Sequence, residues 1–259
     1  MYKENISGRL AFISGASAGI GEATAKALAL NGVNLILAAR RIDKLENLKN
    51  SLEKEYKIKV KTIKIDFSKS EDIVNALNSL EDEWKNIDIL INNAGLALNK
   101  DIYSNNLLED VLQMIRVNCE GLITATRILL PFILKSEHGH IINIASTAAD
   151  EAYSGGAIYC ATKSFVEMFG DAIRIELIDK PVKVTNIKPG LVNTEFSTVR
   201  FKGDKEKADN VYKGLEPLLA EDIAENIEYV LTRKSHVQIS SMTIMAENQA
   251  TATMAYRKQ

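Results

Sequence analysis

Three residues in the second half of the chain have the types and spacing needed to move a proton. Ser146 ends an apolar run from His140 to Ala145, and Tyr159 and Lys163 stand four apart in the helical pattern that follows. A separation of four puts both side chains on one face of a helix. A tyrosine at its free pKa of ~10 is a poor base at neutral pH. An ammonium beside it favours the phenolate and lowers that value. Ser146 can hold a substrate oxygen while Tyr159 moves its proton. Asn118 sits in the middle of an earlier helical pattern, where asparagine is a mediocre residue. A local partner must use it, and holding a water behind Lys163 fits. Cys119 and Cys160 have no evident base partner and read as small packing residues. His138 and His140, flanking Gly139, read as a surface loop and a strand start. No His/Cys/Asp cluster suggests a metal, so none is expected.

The partner for such proton chemistry is announced near the N-terminus. Ser14-Gly15-Ala16-Ser17-Ala18-Gly19-Ile20-Gly21 lies between an apolar run, Leu10 to Ile13, and an alanine-rich helical pattern. Strand, glycine turn and helix in that order open a dinucleotide site. Gly15 lets the chain turn, Gly19 clears the approach to a pyrophosphate, and Gly21 lets the helix sit close to the sheet. The helix N-terminus offers the phosphates free N–H groups. The spacing is G-x-x-x-G-x-G, and it lacks the Gly-Lys-Ser/Thr ending of a nucleoside triphosphate loop. A bound nicotinamide would supply or take the hydride that the proton accompanies.

The second strand tells which nicotinamide. It ends Ala38-Ala39-Arg40-Arg41, with no carboxylate before Asp43. An acid there would bond the ribose 2′-hydroxyl of NAD and repel a 2′-phosphate. Two arginines at a helix start oppose the helix dipole, and a bound phosphate would explain them. NADP is therefore the expected cofactor. Asp66, at the end of the third strand, could accept from the adenine amino group or simply cap the next helix.

These residues need a scaffold that brings strand ends to one edge. Val33–Ala38, nearly all apolar, and Lys59–Ile65, Ile87–Ile91, His140–Ala145, Val182–Ile187 and Val237–Ile244 read as further strands. Helical periods separate them: about 42–52, 73–80, a long one at about 107–134 capped by Asn105 or Asn106 and bent by Pro131, Tyr159 to about Ile178, and Leu218–Thr232. The alternation predicts one α/β domain spanning residues 1–259, a Rossmann-type doubly wound parallel sheet with helices on both faces. Residues 190–217 show no period, and a connection that long suggests a lid. A net charge of -2 gives no field to recruit nucleic acid, and no run reaches the ~18 apolar residues that span a bilayer. Two cysteines and no apolar leader make cytoplasm the default compartment.

Taken together, the residues resemble the short-chain dehydrogenase/reductase family along essentially the whole chain. Asn92-Asn93-Ala94-Gly95 matches a family motif unchanged, and Ser14 stands where threonine is more usual. The resemblance implies a catalytic tetrad of Asn118, Ser146, Tyr159 and Lys163. It implies cofactor contacts at Gly15, Ser17, Gly19, Ile20, Gly21, Arg40, Arg41, Asp66, Phe67, Asn92, Ala94, Gly95, Pro189, Gly190, Val192 and Thr194, together with Tyr159 and Lys163. It also implies a homotetramer, or failing that a homodimer, paired through the helices at 107–134 and 159–178.

Leu37-Ala38-Ala39-Arg40-Arg41, Ala152-Tyr153, Ile158-Tyr159-Cys160-Ala161 and the run Leu191–Arg200 look like the branch of NADP-dependent serine and 3-hydroxy acid dehydrogenases. A 3-hydroxy acid places its carboxylate two carbons from the alcohol, so a cation must close the pocket opposite Ser146 and Tyr159. Arg200 is the nearest candidate and Lys202 the second; both could equally be solvated lid residues. Tyr153 could wall the pocket and Phe196 cover the nicotinamide, or both could be packing residues. The rival readings are a broad carbonyl reductase for neutral ketones and a sulfoacetaldehyde reductase.

Overall fold

The computed structural model describes residues 3–258. Seven strands form one sheet in the order β3-β2-β1-β4-β5-β6-β7. They are β1 (Leu10–Ser14), β2 (Asn34–Ala39), β3 (Val60–Lys64), β4 (Ile89–Asn92), β5 (Gly139–Ile144), β6 (Val182–Pro189) and β7 (Ser241–Ile244). Every pairing is parallel, from Phe12 opposite Ile36 and Leu90 to Ile187 opposite Met242. The order reverses between β1 and β4, so the carboxyl ends of those strands flank a crevice where ligands bind in such sheets.

In β1, β2, β4 and β5 the apolar runs have no polar alternation because both sheet faces are covered there, while the edge strands β3 and β7 carry polar residues and are only partly buried. On one face Phe12, Ile36, Leu90, Ile141 and Val184 meet α3 (Ser70–Asn78), α4 (Leu108–Ile115), α5 (Leu122–Ile133) and α6 (Ala157–Glu176). On the other, Ile13, Leu35, Leu37 and Ile142 meet α1 (Gly19–Leu30), α2 (Ile42–Glu55) and α9 (Ala220–Leu231). Successive strand residues point to opposite faces, which explains the division.

The middle of the sheet holds polar groups. Asn92 donates to Asn143 Oδ1 at 2.9 Å and to Thr126 Oγ1 at 2.9 Å, and Asn143 donates to Asn186 Oδ1 at 3.1 Å. Three asparagines thus link β4, β5 and β6 inside the core, each satisfied by the next. His140 is not a surface residue: it is buried on β5 against Thr185 Oγ1 at 2.9 Å. Burial, with help from Lys183 and Arg9, pushes its pKa down to about 3, so it is neutral in the folded protein.

Two further readings need correction. The long helix at 107–134 is two helices joined by a π turn, Arg116–Gly121. Its cap is neither Asn105 nor Asn106: Leu107 occupies that position, and Asn106 bonds back to the Asp101 and Ile102 carbonyls instead. Within residues 190–217, where no period shows, two short helices form, α7 (Glu195–Arg200) and α8 (Lys205–Asn210). At six residues each, they are too short for periodicity to reveal. No helix among the described residues is long and apolar enough to cross a membrane.

Candidate active site

A cavity of about 900 Å³ opens at the carboxyl edge of the sheet. The glycine turn, Ser146, Tyr159, Lys163 and the 190–217 connection all line it; Thr194 of that connection packs on Gly19, and Arg200 further along reaches the Tyr159 ring.

At the glycine end the turn is held by its neighbours. Ser14 Oγ accepts from the N–H groups of Asn93 and Ala94, both at 2.9 Å. Asn93 donates to the carbonyls of Ser14 and Gly15. Gly21 has no room for a side chain, since a Cβ would stand 2.5 Å from Gly15 O. Asn93 was named only as part of a motif, yet it is the residue that ties the turn to β4. Helix α1 starts at Ala18 without a side-chain cap, so its first N–H groups are open to a ligand. Gly19 sits at φ +55, where a Cβ would press Thr194 at 3.2 Å. Uncapped N–H groups, a bare glycine backbone and a nearby guanidinium fit a dinucleotide pyrophosphate.

Ser17, Gly19, Ile20, Arg41, Ala94, Gly95, Pro189, Gly190, Val192 and Thr194 all border the cavity, as does Gly15. Arg40, Asp66, Phe67 and Asn92 do not. Asn92 turns its amide into the interior ladder, and Phe67 is buried in the core. Asp66 Oδ1 accepts from the Ser68 N–H and hydroxyl, a local turn; it does not cap the next helix either, since α3 has Lys69 at its N-cap and no side-chain cap. Burial works to raise its pKa, but Ser68 and the charge of Arg40 together hold it below the ordinary carboxylate value. Arg41 is engaged: it bonds Ser17 and pairs with Glu195 at 2.7 Å. Lys44, which the sequence reading passed over, pairs with the other Glu195 oxygen at 2.9 Å.

In the centre, Ser146 begins a single 3-10 turn and accepts from Ala148 N at 3.1 Å. Tyr159 and Lys163 lie on α6, both buried, with the ammonium 5.8 Å from the ring centroid. Lys163 donates to Ile144 O at 2.7 Å. Desolvation brings its pKa down to about 8. The Tyr159 phenol is pushed up rather than down: burial dominates, and the Tyr153 hydroxyl adds to it. The pull in the other direction comes from the Ser146 hydroxyl and from Arg200, not from Lys163. Desolvation of a phenol outweighs a cation that faces another acceptor.

Asn118 explains the π turn. Its amide accepts from Leu96 N at 2.8 Å, donates to Leu96 O at 2.8 Å and donates to Thr162 Oγ1 at 3.0 Å. One side chain thereby clamps the chain after β4 onto α6, one residue before Lys163. Single π turns of this kind recur at functional sites.

At the far end, Arg200 donates to Tyr153 Oη at 2.9 Å and to Asn99 O at 3.2 Å. Its guanidinium carbon lies 5.5 Å from the Tyr159 ring centroid. Arg200 has no carboxylate partner among the described residues. Lys202 does: it pairs with Asp110 at 2.6 Å and does not border the cavity. Of the two candidate cations, Arg200 alone reaches the pocket. Phe196 packs its ring 5.6 Å from that of Tyr159.

Residues 9–205 match the family model of the short chain dehydrogenase. The chain belongs to the short-chain dehydrogenase family. It is 44% identical over 255 residues to an NADP-dependent 3-hydroxy acid dehydrogenase of Schizosaccharomyces pombe, covering 98% of each chain. It is 38% identical over 240 residues to a serine 3-dehydrogenase of Agrobacterium fabrum, covering 93% of this chain and 94% of the other. Among solved structures, the closed form of a serine dehydrogenase complexed with NADP+ superposes with a TM-score of 0.89 at 40% identity. That match covers 96% of this chain and all of the other.

Proposed function

We propose that this family member is an NADP-dependent dehydrogenase that interconverts small 3-hydroxy acids, such as L-serine, L-allo-threonine or 3-hydroxypropionate, with their 3-oxo acids or semialdehydes. The observation that carries the substrate class is Arg200: a guanidinium beside the Tyr159 ring, fixed by two neutral acceptors, with no carboxylate partner among the described residues. A substrate acid would complete it, and the fork of N–H groups suits a carboxylate. The named activities of the relatives support the same reading.

The cofactor would lie along the glycine turn with its phosphates on the open N–H groups of α1. The arginines after Ala39 would take the 2′-phosphate and Val192 and Thr194 the nicotinamide end. Bound there, NADP(H) supplies or accepts the hydride. Tyr159 gives a proton to the carbonyl oxygen in reduction and takes it from the alcohol in oxidation. Ser146 holds that same oxygen. Lys163 sets a positive charge below the ring, and Asn118 fixes the strand and helix that present it. Tyr153 orients Arg200, and Phe196 screens the reacting centre from water.

The decisive assay follows NADPH absorbance with a panel of 3-hydroxy acids, sulfoacetaldehyde and bulky neutral ketones. Acids should lead the panel. Strong turnover of bulky ketones with none of the acids would leave a general carbonyl reductase instead.

We also infer a homotetramer. Leu108, Ile115, Ile123, Phe165, Met168 and Ile175 are exposed apolar residues on α4, α5 and α6, the helices through which this family pairs. Light scattering at micromolar protein tests it; a monomeric mass would refute it.

A further inference from the structure

The chain does not end its work at the last strand. Beyond β7 it folds back over the cavity, where Gln249 and Ala255 form an antiparallel bridge and Tyr256 N donates to Asn248 O at 2.8 Å. Thr251, Ala252, Thr253 and Met254 border the cavity. Glu151, two residues before Tyr153, grips the hairpin tip: it accepts from Ala252 N at 3.0 Å and from Thr253 Oγ1 at 2.6 Å. Further on, Lys258 N donates to Gly214 O at 2.7 Å, fastening the tail to the 190–217 connection.

One side chain of this tail reaches the strand end itself. Gln249 is only 5% exposed. Its Oε1 accepts from Leu191 N at 2.8 Å, and its Nε2 donates to Thr251 O at 3.0 Å. The amide fills the space beside Gly190, where a Cβ would stand 2.3 Å from Oε1. Three further contacts pin the neighbouring backbone. Gly190 N donates to Ile244 O at 2.8 Å, Leu191 O accepts from Leu218 N at 3.0 Å, and Val192 O accepts from Tyr212 Oη at 2.8 Å. Without Gln249, the Leu191 N–H would lose its partner, a cost comparable to a lost hydrogen bond. Val192, whose own N–H has no partner among the described residues, borders the cavity one residue further on.

We propose that Gln249 is a positioning residue: its buried amide sets the Gly190–Val192 backbone at the height that seats the nicotinamide end of the cofactor. This rests on the NADP reading given above. Gln249 borders the cavity, but its amide is taken up by Leu191 N and Thr251 O, so it acts through the Gly190–Leu191 backbone. The absent side chain at Gly190 and the amide at Gln249 are two halves of one contact.

The test compares Gln249→Leu, Gln249→Glu and Gly190→Ala in the full-length protein. NADPH binding is titrated by fluorescence, and adenosine 2′,5′-bisphosphate, which lacks the nicotinamide half, by calorimetry. Gln249→Leu should weaken NADPH about tenfold, the scale of one buried hydrogen bond, and leave the bisphosphate within about twofold. Gln249→Glu keeps an acceptor for Leu191 N and should stay within about threefold of wild type for both. Gly190→Ala should reproduce the Leu phenotype, and the double variant Gly190→Ala/Gln249→Leu should be no worse than either single one. In turnover, kcat should fall alike for acids and neutral aldehydes, with a larger isotope effect from 4-deuterated NADPH. Unchanged NADPH affinity in Gln249→Leu overturns the proposal while the NADP reading stands. So does an equal loss in the Leu and Glu variants. A wild type that fails to bind NADPH overturns both.

Discussion

The two ends of the cavity are built differently. The cofactor end rests on β1, β2 and β4, whose residues are almost wholly buried and whose turn is held by Ser14 and Asn93 within a short stretch of backbone. The substrate end is made of two six-residue helices and a tail. It is held by polar contacts between distant parts of the chain: Arg200 to Tyr153, Arg257 to the carbonyls of Val211 and Lys213, and Glu151 to Ala252 and Thr253. On the function proposed above, the rigid end would fix the hydride carrier and the fastened but less regular end would receive the variable partner. Function is commonly divided so, with loops varied on a firm scaffold.

Substitutions on the two sides should therefore fail in different ways. The largest effect belongs to the centre they share. Tyr159→Phe should cost about two to four orders of magnitude in kcat, the scale of general acid–base catalysis, with NADPH affinity preserved. Burial raises the Tyr159 pKa and lowers that of Lys163 to about 8. Alcohol oxidation needs the phenolate, whose fraction grows as pH rises, so wild-type oxidation should climb through the alkaline range. Carbonyl reduction needs the protonated phenol and should hold through neutrality. A pH–rate profile in both directions checks the pair of limbs, and Tyr159→Phe should abolish the oxidative one.

Next in size, Arg200→Leu should raise KM for acids about ten- to a hundredfold, the scale of a lost charge-assisted hydrogen bond, and spare neutral carbonyls. Equal losses for both substrate types would move Arg200 to the shared centre and erase the contrast between the ends. Arg40→Ala should raise KM for NADP about tenfold and change KM for NAD little, as steady-state kinetics with each cofactor would reveal. The smallest effect is at Glu195, which joins the two ends by pairing with Arg41 and Lys44. These are exposed pairs, so Glu195→Gln should shift KM for either partner by no more than about fivefold.

The same contrast decided what the sequence could reveal. Strand runs such as Leu35–Ala38 and the glycine turn carry their meaning in adjacent residues, and the sheet, its order of elements and the cluster of Ser146, Tyr159 and Lys163 follow from them. Asn118 was legible as an odd residue in a helix, but the π turn that uses it depends on Leu96 and Thr162, far along the chain. Arg40, Asp66 and Phe67 carry family expectations for the adenine end, yet none borders the cavity. His140 looked like a loop neighbour because Gly139 precedes it; its burial comes from Thr185 on the adjacent strand. Lys202, the second candidate after Arg200, is claimed by Asp110. Gln249 and Glu151 left no local signal at all, since the contacts that give them meaning span 58 residues or more.

The central claim is that a cofactor end of ordinary family design faces a substrate end tuned to an acid. The most direct measurement is kcat/KM of the wild-type protein for one 3-hydroxy acid and for its methyl ester, with NADP at saturation. The alcohol, the carbon skeleton and the hydride path are the same in both, and only the negative charge differs. A preference for the acid of about tenfold or more is expected from the pairing with Arg200. Equal values, or a preference for the ester, would contradict it.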